Sequence, residues 1–337
     1  MPHSKKPALF SSGILGVGSA VPEKVMTNTD WSKLVDTTDE WIRTRTGILE
    51  RRIAEEDTTT CDLATEAAKK ALANAKIKAK DLDMIVVGTT TPDFPVFPSA
   101  GAVVQHKLGI SEIPAFDVSA ACTGFIYAMS VADQFVKTGA YKRVLVIGAD
   151  TLSKYVDKTD RNVCVLFGDG AGAVVLGPVE EGYGILSSCL KTRGSGHDLL
   201  KIEHGGSKKP LTEKNIKDKK HYIKMNGKEV FKFAVSVIGE AIEEALKLAD
   251  LKAEDVDWLI PHQANTRIID AAKKRLGLSE EKVYVNISRY GNTSAASIPL
   301  AMDELAQAGR LKKGDIIATV GFGAGLTWGA NVIRWSK

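Results

Sequence analysis

The chain contains an internal repeat, and this repeat constrains the fold more than any other feature of the sequence. The segment EAAKKALANAKIKAKDLD, from Glu66, matches EAIEEALKLADLKAEDVD, from Glu240, at nine of eighteen positions, at an offset of 174 residues. A second pair, TGAYKRVLVIG from Thr138 and AGRLKKGDIIATVG from Ala308, follows in the same order at an offset of 170. The sequence therefore predicts a duplicated unit, with the two halves meeting near residues 170–180.

Each half alternates between strand-like and helix-like patterns. Helical spacing of apolar residues is clear in CDLATEAAKKALANA, from Cys61. Short β-branched runs begin at Met84, Arg143, Asp257 and Asp315. Such alternation predicts an α/β fold with a mostly parallel sheet, built from an N-terminal half (residues 1–175) and a C-terminal half (residues 176–337). The Gly- and Lys-rich stretch 194–220 predicts an irregular surface excursion.

Composition limits the possible partners. Lys and Arg number 45 against 41 Asp and Glu, so the net charge of +4 is too small to indicate a general nucleic-acid or membrane binder. No apolar run approaches the roughly 20 residues of a membrane-spanning helix. We therefore expect no nucleic-acid partner and no membrane partner, although a local basic patch remains able to bind an acidic protein.

The four cysteines indicate the compartment. Cys61, Cys122, Cys164 and Cys189 form no C-x-x-C pair, and the N-terminal MPHSKKPALFSSG has no apolar core of the length found in signal peptides. The sequence predicts free thiols, no metal site and a reducing cytoplasm.

Three polar residues are expected to lie at one place. At an offset of 170, Asn292 aligns with Cys122, and both are predicted to follow a strand and precede a helix. At an offset of 174, His262 aligns with Gly88, and both come just after an apolar strand. Functional groups of open α/β sheets gather at the carboxyl ends of strands, so these positions predict a single site.

Cys122 is the candidate nucleophile. A thiolate is favoured at a helix N-terminus, where the helix dipole lowers the thiol pKa. The small neighbours Ala120, Ala121 and Gly124 leave room for an acyl group. The other three cysteines are expected to be ordinary small core residues.

His262 and Asn292 supply the other candidate groups. Pro261 ends the strand and directs the imidazole of His262 out of the sheet. A neutral imidazole and a carboxamide are two uncharged hydrogen-bond donors, suited to a thioester oxygen that becomes an enolate. Asn292 also fits a simple helix N-cap. Hydrolysis by a Cys-His-Asn triad is an alternative chemistry, but the local signatures of cysteine proteases are missing around Cys122.

Two glycine-rich segments require interpretation. VGFGAGLTWG, from Val320, either forms a tight turn between two strands or provides a backbone N–H that, with the N–H of Cys122, builds an oxyanion hole. GDGAGA, from Gly168, is followed by a strand-like run, so it is not expected to form a dinucleotide-binding loop.

Several motifs carry a family resemblance. They are GVGSAVPEKVMTN from Gly16, DTTDEWIRTRTGILERR from Asp36, DVSAACTGF, FGDGAGA, PHQAN, GNTSAAS and the C-terminal TWG. The chain resembles the β-ketoacyl-acyl carrier protein synthase III family of condensing enzymes nearly end to end. The resemblance implies a thiolase-like fold and a homodimer, each chain having duplicated halves in five αβαβα layers. Chain-initiating enzymes of this type carry Cys-His-Asn, whereas elongating ones carry Cys-His-His, so Asn292 places this chain with the former.

The resemblance also implies an activity. Cys122 would accept an acyl group from acyl-CoA, and His262 and Asn292 would stabilise the enolate formed by decarboxylation of malonyl-acyl carrier protein. Acetyl-CoA is the expected primer and a short branched acyl-CoA the second choice. The CoA thioester is a substrate, so no cofactor is expected.

Further residues take roles from the same resemblance. The implied CoA contacts are Trp41, Arg45, Thr46 and Arg161, and the implied acyl-pocket residue, crossing the dimer interface, is Phe97. The implied oxyanion-hole donors are the backbone N–H groups of Cys122 and Ala324. The implied docking residues for the acidic carrier protein are Lys232, Arg267, Lys274 and Arg275.

One position departs from the family, and other functions remain open. Most members have glycine at Ala324, where alanine would be strained if the backbone required a positive φ. A related Cys-His-Asn condensing enzyme of secondary metabolism is one alternative. A non-catalytic dimeric binding protein of the same fold is another.

Overall fold

The computed structural model describes residues 10–337. Residues 1–9, on which the prediction of no signal peptide largely rests, lie outside the described residues. The strands are Ser11–Ala20 (β1), Val25–Thr27 (β2), Glu50–Arg52 (β3), Met84–Gly88 (β4), Ala115–Val118 (β5), Val144–Asp150 (β6), Gly170–Val179 (β7), Gly184–Thr192 (β8), Leu200–Ile202 (β9), Ile223–Met225 (β10), Trp258–Pro261 (β11), Ile316–Gly323 (β12) and Thr327–Arg334 (β13). The α-helices are Asn28–Ser32 (α1), Asp39–Thr46 (α2), Thr60–Ala75 (α3), Ala100–Lys107 (α4), Gly124–Lys137 (α5), Arg161–Cys164 (α6), Glu213–Lys217 (α7), Gly227–Leu248 (α8), Thr266–Leu276 (α9), Ile287–Tyr290 (α10) and Ser297–Gln307 (α11).

The two main sheets have the same topology, which confirms the predicted duplication. The first has the order β1-β7-β6-β4-β5 and the second the order β8-β13-β12-β11. The counterpart of β5 is reduced to an isolated bridge between Leu259 and Val283. The strand expected before Asn292 is therefore not formed.

Both sheets are mixed, so the prediction of a mostly parallel sheet was wrong. β4 pairs in parallel with β5 and β6, and β11 with β12, whereas β7 and β13 are antiparallel to both of their neighbours. The turn from β12 to β13 shows the reason: three residues reverse the chain, whereas a parallel pair needs a long crossover.

Helices and sheets alternate in five layers. α5 and α11 lie between the two sheets and contact strands of both. α3 and α4 cover the outer face of the first sheet, and α8, with α9 beside it, covers the outer face of the second. Three apolar clusters separate these layers, and a fourth joins α1, α2 and α6 at one end of the sheets.

The helix sequences explain their layers. α5 lies between two sheets and buries Phe125, Ile126 and Met129 completely, as expected for a helix that is apolar on most of its faces. α8 covers only one sheet, so it buries a stripe that includes Ile242 and exposes Lys232 on the opposite face.

The boundary between the two sheets lies slightly later than predicted. β7 pairs with β1 as far as Val179, and β8 of the second sheet begins at Gly184. The expected division at residue 175 therefore falls inside β7. The predicted excursion at 194–220 contains only short elements, β9 and α7. Within residues 10–337, none of the helices has the length and apolar character needed to cross a bilayer.

Candidate active site

Two matching turns form the floor of the site. A 3-10 turn at Ala121–Thr123 leads into α5, and another at Ser294–Ala296 leads into α11. Their first residues, Ala121 and Ser294, have φ of 48° and 52°, unusual for residues other than glycine. The turns contact each other, so the duplication brings the starts of the two central helices together.

The turns correct the predicted equivalence of Cys122 and Asn292. α5 has 14 residues and α11 has 11, so the offset between the halves is 173 before these helices and 170 after them. The position equivalent to Cys122 is therefore Ala295. Asn292 lies just before the second turn, near Cys122 in space but not equivalent to it.

His262 and Gly88 do lie at the ends of equivalent strands, β11 and β4. In the first half, a Cβ on Gly88 would lie 2.4 Å from the carbonyl carbon of Gly124, so β4 and α5 touch through two glycines. In the second half, the corresponding contact joins His262 to Ser297, the first residue of α11. The same contact between a strand end and a helix start is therefore made by His262 and Ser297 in the second half and by Gly88 and Gly124 in the first.

Cys122 lines a mostly apolar cavity of about 270 Å³, and only 8% of its surface is exposed. The loop after β12 passes directly over it, because a Cβ on Gly323 would lie 2.7 Å from the backbone nitrogen of Cys122. The cavity is lined by Thr90, Thr91, Ala121, Leu152, Phe167, Leu200, Lys201, Ile202, Ile223, Ser294 and Ala324.

Burial raises the pKa of the Cys122 thiol to about 12. The nearby hydroxyl of Ser294 lowers the pKa and the carboxylate of Asp150 raises it, but both effects are smaller than that of burial. The expected low pKa at a helix N-terminus is therefore not found. The thiol is neutral at rest, and its proton must leave as sulfur attacks.

His262 is 1% exposed, and burial lowers its pKa to about 3. Its Nδ1 lies 2.7 Å from the Ser297 hydroxyl oxygen, and its ring packs edge-on against Phe322 with centroids 5.4 Å apart. The Ser297 hydroxyl also lies 2.9 Å from the carbonyl oxygen of Ser294. The imidazole is thus fixed in orientation and neutral at neutral pH.

Asn292 is held so that one side of its amide is free. Its backbone N–H donates to Leu166 (2.9 Å) and its carbonyl accepts from Gly168 (3.0 Å). Its Oδ1 accepts the N–H of Ser294 at 2.9 Å. Within residues 10–337 its Nδ2 has no hydrogen-bond partner, so it is available as a donor. The side chain thus bonds to the first residue of the 3-10 turn, and it does not cap α11, which has no side-chain cap.

Sequence reasoning missed the residues that hold this arrangement. Ser294 and Ser297 join the three candidates through one short turn. Asp150, at the end of β6, is fully buried, and its carboxylate accepts the Ala295 N–H and several hydrogen bonds from residues 89–91. A carboxylate directly after an apolar strand was the available signal.

The glycine-rich segment from Val320 is a tight turn and also borders the site. Ala324 lines the cavity and does not have a positive φ, whereas Gly325 has φ 132°, so the strain considered for alanine does not arise. The Thr327 hydroxyl lies 2.6 Å from that of Thr123 and donates to the Ala120 carbonyl at 3.0 Å, which joins this loop to the Cys122 turn. Most of the other segment, GDGAGA, is the start of β7, so the expected strand is found in place of a helix.

Of the residues expected to bind CoA, Arg45 is exposed, Trp41 and Arg161 are half-buried, and Thr46 is buried. The guanidinium carbons of Arg45 and Arg161 lie 4.6 and 5.3 Å from the ring centroid of Trp41. Trp41 and Arg45 line an open cleft of about 770 Å³. Thr46 is 3% exposed, and its hydroxyl donates to Ile42 (2.7 Å) and accepts from Ile48 (3.0 Å). Its side chain therefore does not reach the cleft.

The predicted docking residues are exposed on the neighbouring helices α8 and α9. Arg267 lies over the ring of Phe231 at 5.2 Å. Arg275 makes two hydrogen bonds to Glu243, at 2.8 and 2.7 Å. Lys232 pairs with Glu229 on its own helix, whereas Lys274 makes no ion pair within residues 10–337. Beneath them, Ile268 and Ala272 are buried as expected and Ala271 is half-buried.

Phe97 is 80% exposed in this single chain, as is Val96 beside it, and Phe94 is 47% exposed. β5, half-buried throughout, is an edge strand of the first sheet.

Known proteins resemble this chain over nearly its whole length. Residues 116–194 match the family described as 3-Oxoacyl-[acyl-carrier-protein (ACP)] synthase III, and residues 246–335 match its C-terminal family. A protein named beta-ketoacyl-[acyl-carrier-protein] synthase III from Caldanaerobacter subterraneus is 58% identical over 97% of this chain and 99% of its own. The similarly named protein of Fusobacterium nucleatum is 53% identical, over 97% and 99%.

Solved structures agree with these sequence matches. The 3-oxoacyl-[acyl-carrier-protein] synthase III of Aquifex aeolicus superposes with a TM-score of 0.88 at 48% identity, covering 96% of this chain and 100% of its own. The priming β-ketosynthase of the R1128 polyketide pathway gives a TM-score of 0.91 at 35% identity, over 100% and 99%. With this level of identity over its full length, the chain belongs to the β-ketoacyl-acyl carrier protein synthase III family of thiolase-fold condensing enzymes.

Proposed function

We propose that the protein initiates type II fatty acid synthesis by condensing an acyl-CoA with malonyl-acyl carrier protein. The products are 3-oxoacyl-acyl carrier protein, CoA and carbon dioxide. The observation that carries the proposal is the grouping at the Ser294 turn: a buried thiol facing an apolar cavity, a neutral imidazole and an amide with a free N–H.

In the first half-reaction, Cys122 Sγ attacks the carbonyl carbon of acyl-CoA. The oxygen becomes negative and is held by the backbone N–H groups of Cys122 and Ala324, both of which border the cavity. The bond to the CoA sulfur breaks, and the proton of the Cys122 thiol ends on that sulfur. His262 has an unprotonated ring nitrogen available to carry it.

In the second half-reaction, malonyl-acyl carrier protein loses carbon dioxide and becomes an enolate. Asn292 Nδ2 and His262 Nε2 donate hydrogen bonds to the enolate oxygen, which needs His262 in its Nε2–H tautomer. The Ser297 hydroxyl, which at rest donates its single proton to the Ser294 carbonyl, then turns that proton to Nδ1 of His262. The enolate carbon attacks the carbonyl carbon of the acyl-cysteine, and the bond to sulfur breaks. Cys122 leaves as a thiolate and takes a proton from solvent to return to the resting thiol. The energy comes from thioester cleavage and decarboxylation, so the chemistry requires no cofactor.

The surface accounts for the two substrates. Trp41 and Arg161 supply the flat groups that would stack on the CoA adenine. The guanidinium groups of Arg161 and Arg45 lie over the Trp41 ring, so they would move apart from it to admit the adenine. The basic residues of α8 and α9 suit an acidic carrier protein. Thr46 contributes to this surface only through the shape of α2, because its hydroxyl is occupied internally.

We further propose that the protein is a cytoplasmic homodimer. An apolar cluster at residues 94–97 and the half-buried edge strand β5 are surfaces that a second copy would cover. Phe97 of one chain would close the acyl pocket of the other and favour a short primer such as acetyl-CoA. Four buried, unpaired cysteines are typical of proteins from a reducing compartment.

A condensing enzyme of secondary metabolism is the second candidate, supported by the likeness to the R1128 priming ketosynthase. The 35% identity to that ketosynthase is well below the 58% identity to the beta-ketoacyl-[acyl-carrier-protein] synthase III of Caldanaerobacter subterraneus.

Intact-mass measurement tests the proposal. Incubation with acetyl-CoA should add one acetyl group, and subsequent malonyl-acyl carrier protein should remove it and yield the 3-oxoacyl product. Cys122→Ser should give no adduct, because a serine alkoxide is far less accessible than a thiolate at neutral pH. The matched control Cys61→Ser, at another buried thiol, should acetylate normally. An adduct on the Cys122→Ser protein would contradict the assignment, as would hydrolysis in place of condensation.

A further inference from the structure

Ser294 stands out in the site because its hydroxyl is buried without a partner. The residue is 1% exposed, and its Oγ makes no hydrogen bond within residues 10–337. A buried hydroxyl is normally paired, since leaving it unpaired costs its full desolvation free energy. Such an atom beside a reactive group indicates a partner that forms during the reaction.

The position of Ser294 identifies that partner. It lines the same cavity as Cys122, and its 3-10 turn contacts the turn that carries Cys122. Its backbone is committed elsewhere: the N–H donates to Asn292 Oδ1, and the carbonyl accepts from Ser297. The hydroxyl itself has no partner and belongs to the lining of the cavity that contains the nucleophile.

The backbone of Ser294 is also held in an unfavourable conformation. Its φ is 52°, in a region that residues other than glycine seldom adopt. The equivalent residue Ala121 has a φ of 48° and no hydroxyl, so this conformation belongs to both turns, and the hydroxyl is what distinguishes Ser294.

We propose that Ser294 is a catalytic residue whose hydroxyl donates a hydrogen bond to Cys122 Sγ as the thiol loses its proton. The inference rests on the proposed function, in which Cys122 is the nucleophile. No bond to Ser294 forms or breaks: its proton stays on oxygen while the thiol proton leaves.

The charge around Cys122 makes such a donor necessary. The buried carboxylate of Asp150 opposes formation of the thiolate, and the uncharged ring of His262 provides no compensating positive charge. Hydrogen bonding by Ser294 lowers the pKa of the Cys122 thiol, so completing a hydrogen bond that is not formed at rest favours the thiolate. A hydrogen bond to a charged acceptor is stronger than one between neutral groups, so the contact becomes favourable when the thiolate forms.

Alkylation of Cys122 by iodoacetamide tests the proposal without either substrate. The rate would be measured against pH, with peptide mass spectrometry to assign the site, in wild type, Ser294→Ala and Ser294→Gly. Both variants should react about tenfold more slowly at pH 8 and should need a pH about one unit higher to match the wild-type rate. Ser187→Ala, a buried serine bonded to Ala245 in the outer layer, should match wild type.

The two substitutions separate the hydroxyl from the backbone. Glycine suits the positive φ and alanine does not, so slow alkylation in the alanine variant alone would overturn the proposal in favour of backbone strain. An alkylation rate equal to that of wild type in both variants would also overturn the proposal, even if both variants had lost condensation activity. None of these alkylation results would contradict the proposed function. That function would be contradicted if wild-type Cys122 formed no acyl adduct in the intact-mass experiment.

Discussion

At Cys122 the helix N-terminus and burial act in opposite directions on the thiol. A helix start favours the thiolate, but the closed apolar cavity raises the pKa to about 12. A neutral resting thiol is protected from adventitious oxidation, and its activation depends on groups that act only during the reaction. Cys122 is therefore unreactive at rest and becomes reactive only when these groups act on it.

His262 and Asn292 should affect a different step from Cys122. In His262→Ala and Asn292→Ala, we expect the acyl adduct to form still, because both residues are assigned to the enolate. Malonyl decarboxylation and condensation should fall by about 10² to 10³-fold, as for loss of an oxyanion-hole donor. Single-turnover acylation and condensation rates would be compared. Equal losses in both steps would contradict this division of roles.

The burial of neutral His262 predicts a pH-dependent stability. Its pKa is about 3 in the folded protein against 6.5 for an ordinary histidine, so below pH 6.5 the unfolded chain binds a proton that the folded chain does not. Stability should therefore fall as pH decreases from 6.5, by about 2 kcal/mol between pH 6.5 and 5.

Urea unfolding of wild type and His262→Gln at pH 7 and pH 5 measures this contribution. Glutamine has no titrating group, so the variant should lose about 2 kcal/mol less than wild type on acidification. Equal losses would show that His262 does not carry the effect.

At the scale of elements, α8 and α9 present their basic residues differently. Arg275 is engaged by Glu243 and Lys232 by Glu229, whereas Arg267 and Lys274 make no ion pair within residues 10–337. The latter two are therefore the residues most available to an acidic partner.

We expect Arg267→Glu, and more strongly Arg267→Glu with Lys274→Glu, to raise the KM for malonyl-acyl carrier protein about 3- to 10-fold. Acylation by acyl-CoA should be nearly unchanged, and the effect should shrink with added salt, which screens charges over about 10 Å at 0.1 M. Lys69→Glu, on α3 at the opposite face of the five layers, is the matched charge-reversal control. Unchanged kinetics with malonyl-acyl carrier protein in the double variant would show that the carrier protein does not dock on this surface.

At the scale of the whole molecule, the duplication produces a symmetric scaffold with an asymmetric site. The starts of α5 and α11 meet between the sheets, but one turn carries the thiol and the other carries the groups around it. A second copy would complete this arrangement through residues 94–97.

Two substitutions in that segment test the dimer. Val96→Asp with Phe97→Asp places two charges on an apolar surface and should convert the dimer to a folded monomer in analytical ultracentrifugation. Acylation should decrease, because the acyl pocket would lose the partner's Phe97. Leu34→Asp, at another exposed apolar residue, should leave the dimer intact. A wild-type monomer would contradict the proposal.

The sequence by itself determined the duplication and drew attention to the three candidate residues, whereas the layer order was implied by the family resemblance of its motifs. These follow from local information: the repeat fixes the order of elements, strand ends mark the edge where polar groups gather, and the motifs carry the family. The sequence did not determine the equivalence of Cys122 with Ala295, because a three-residue difference between α5 and α11 changes the offset and no local pattern records it.

Only the tertiary structure decided the electrostatics and the supporting contacts. The high pKa of Cys122 and the low pKa of His262 arise from burial, which depends on neighbours far away in the chain. Thr46 looked available from its place in a motif but is covered by the fold. Ser294 lies in the other half of the chain from Cys122, and Asp150 accepts a hydrogen bond from Ala295 across 145 residues of sequence, so their roles follow from where the two halves meet.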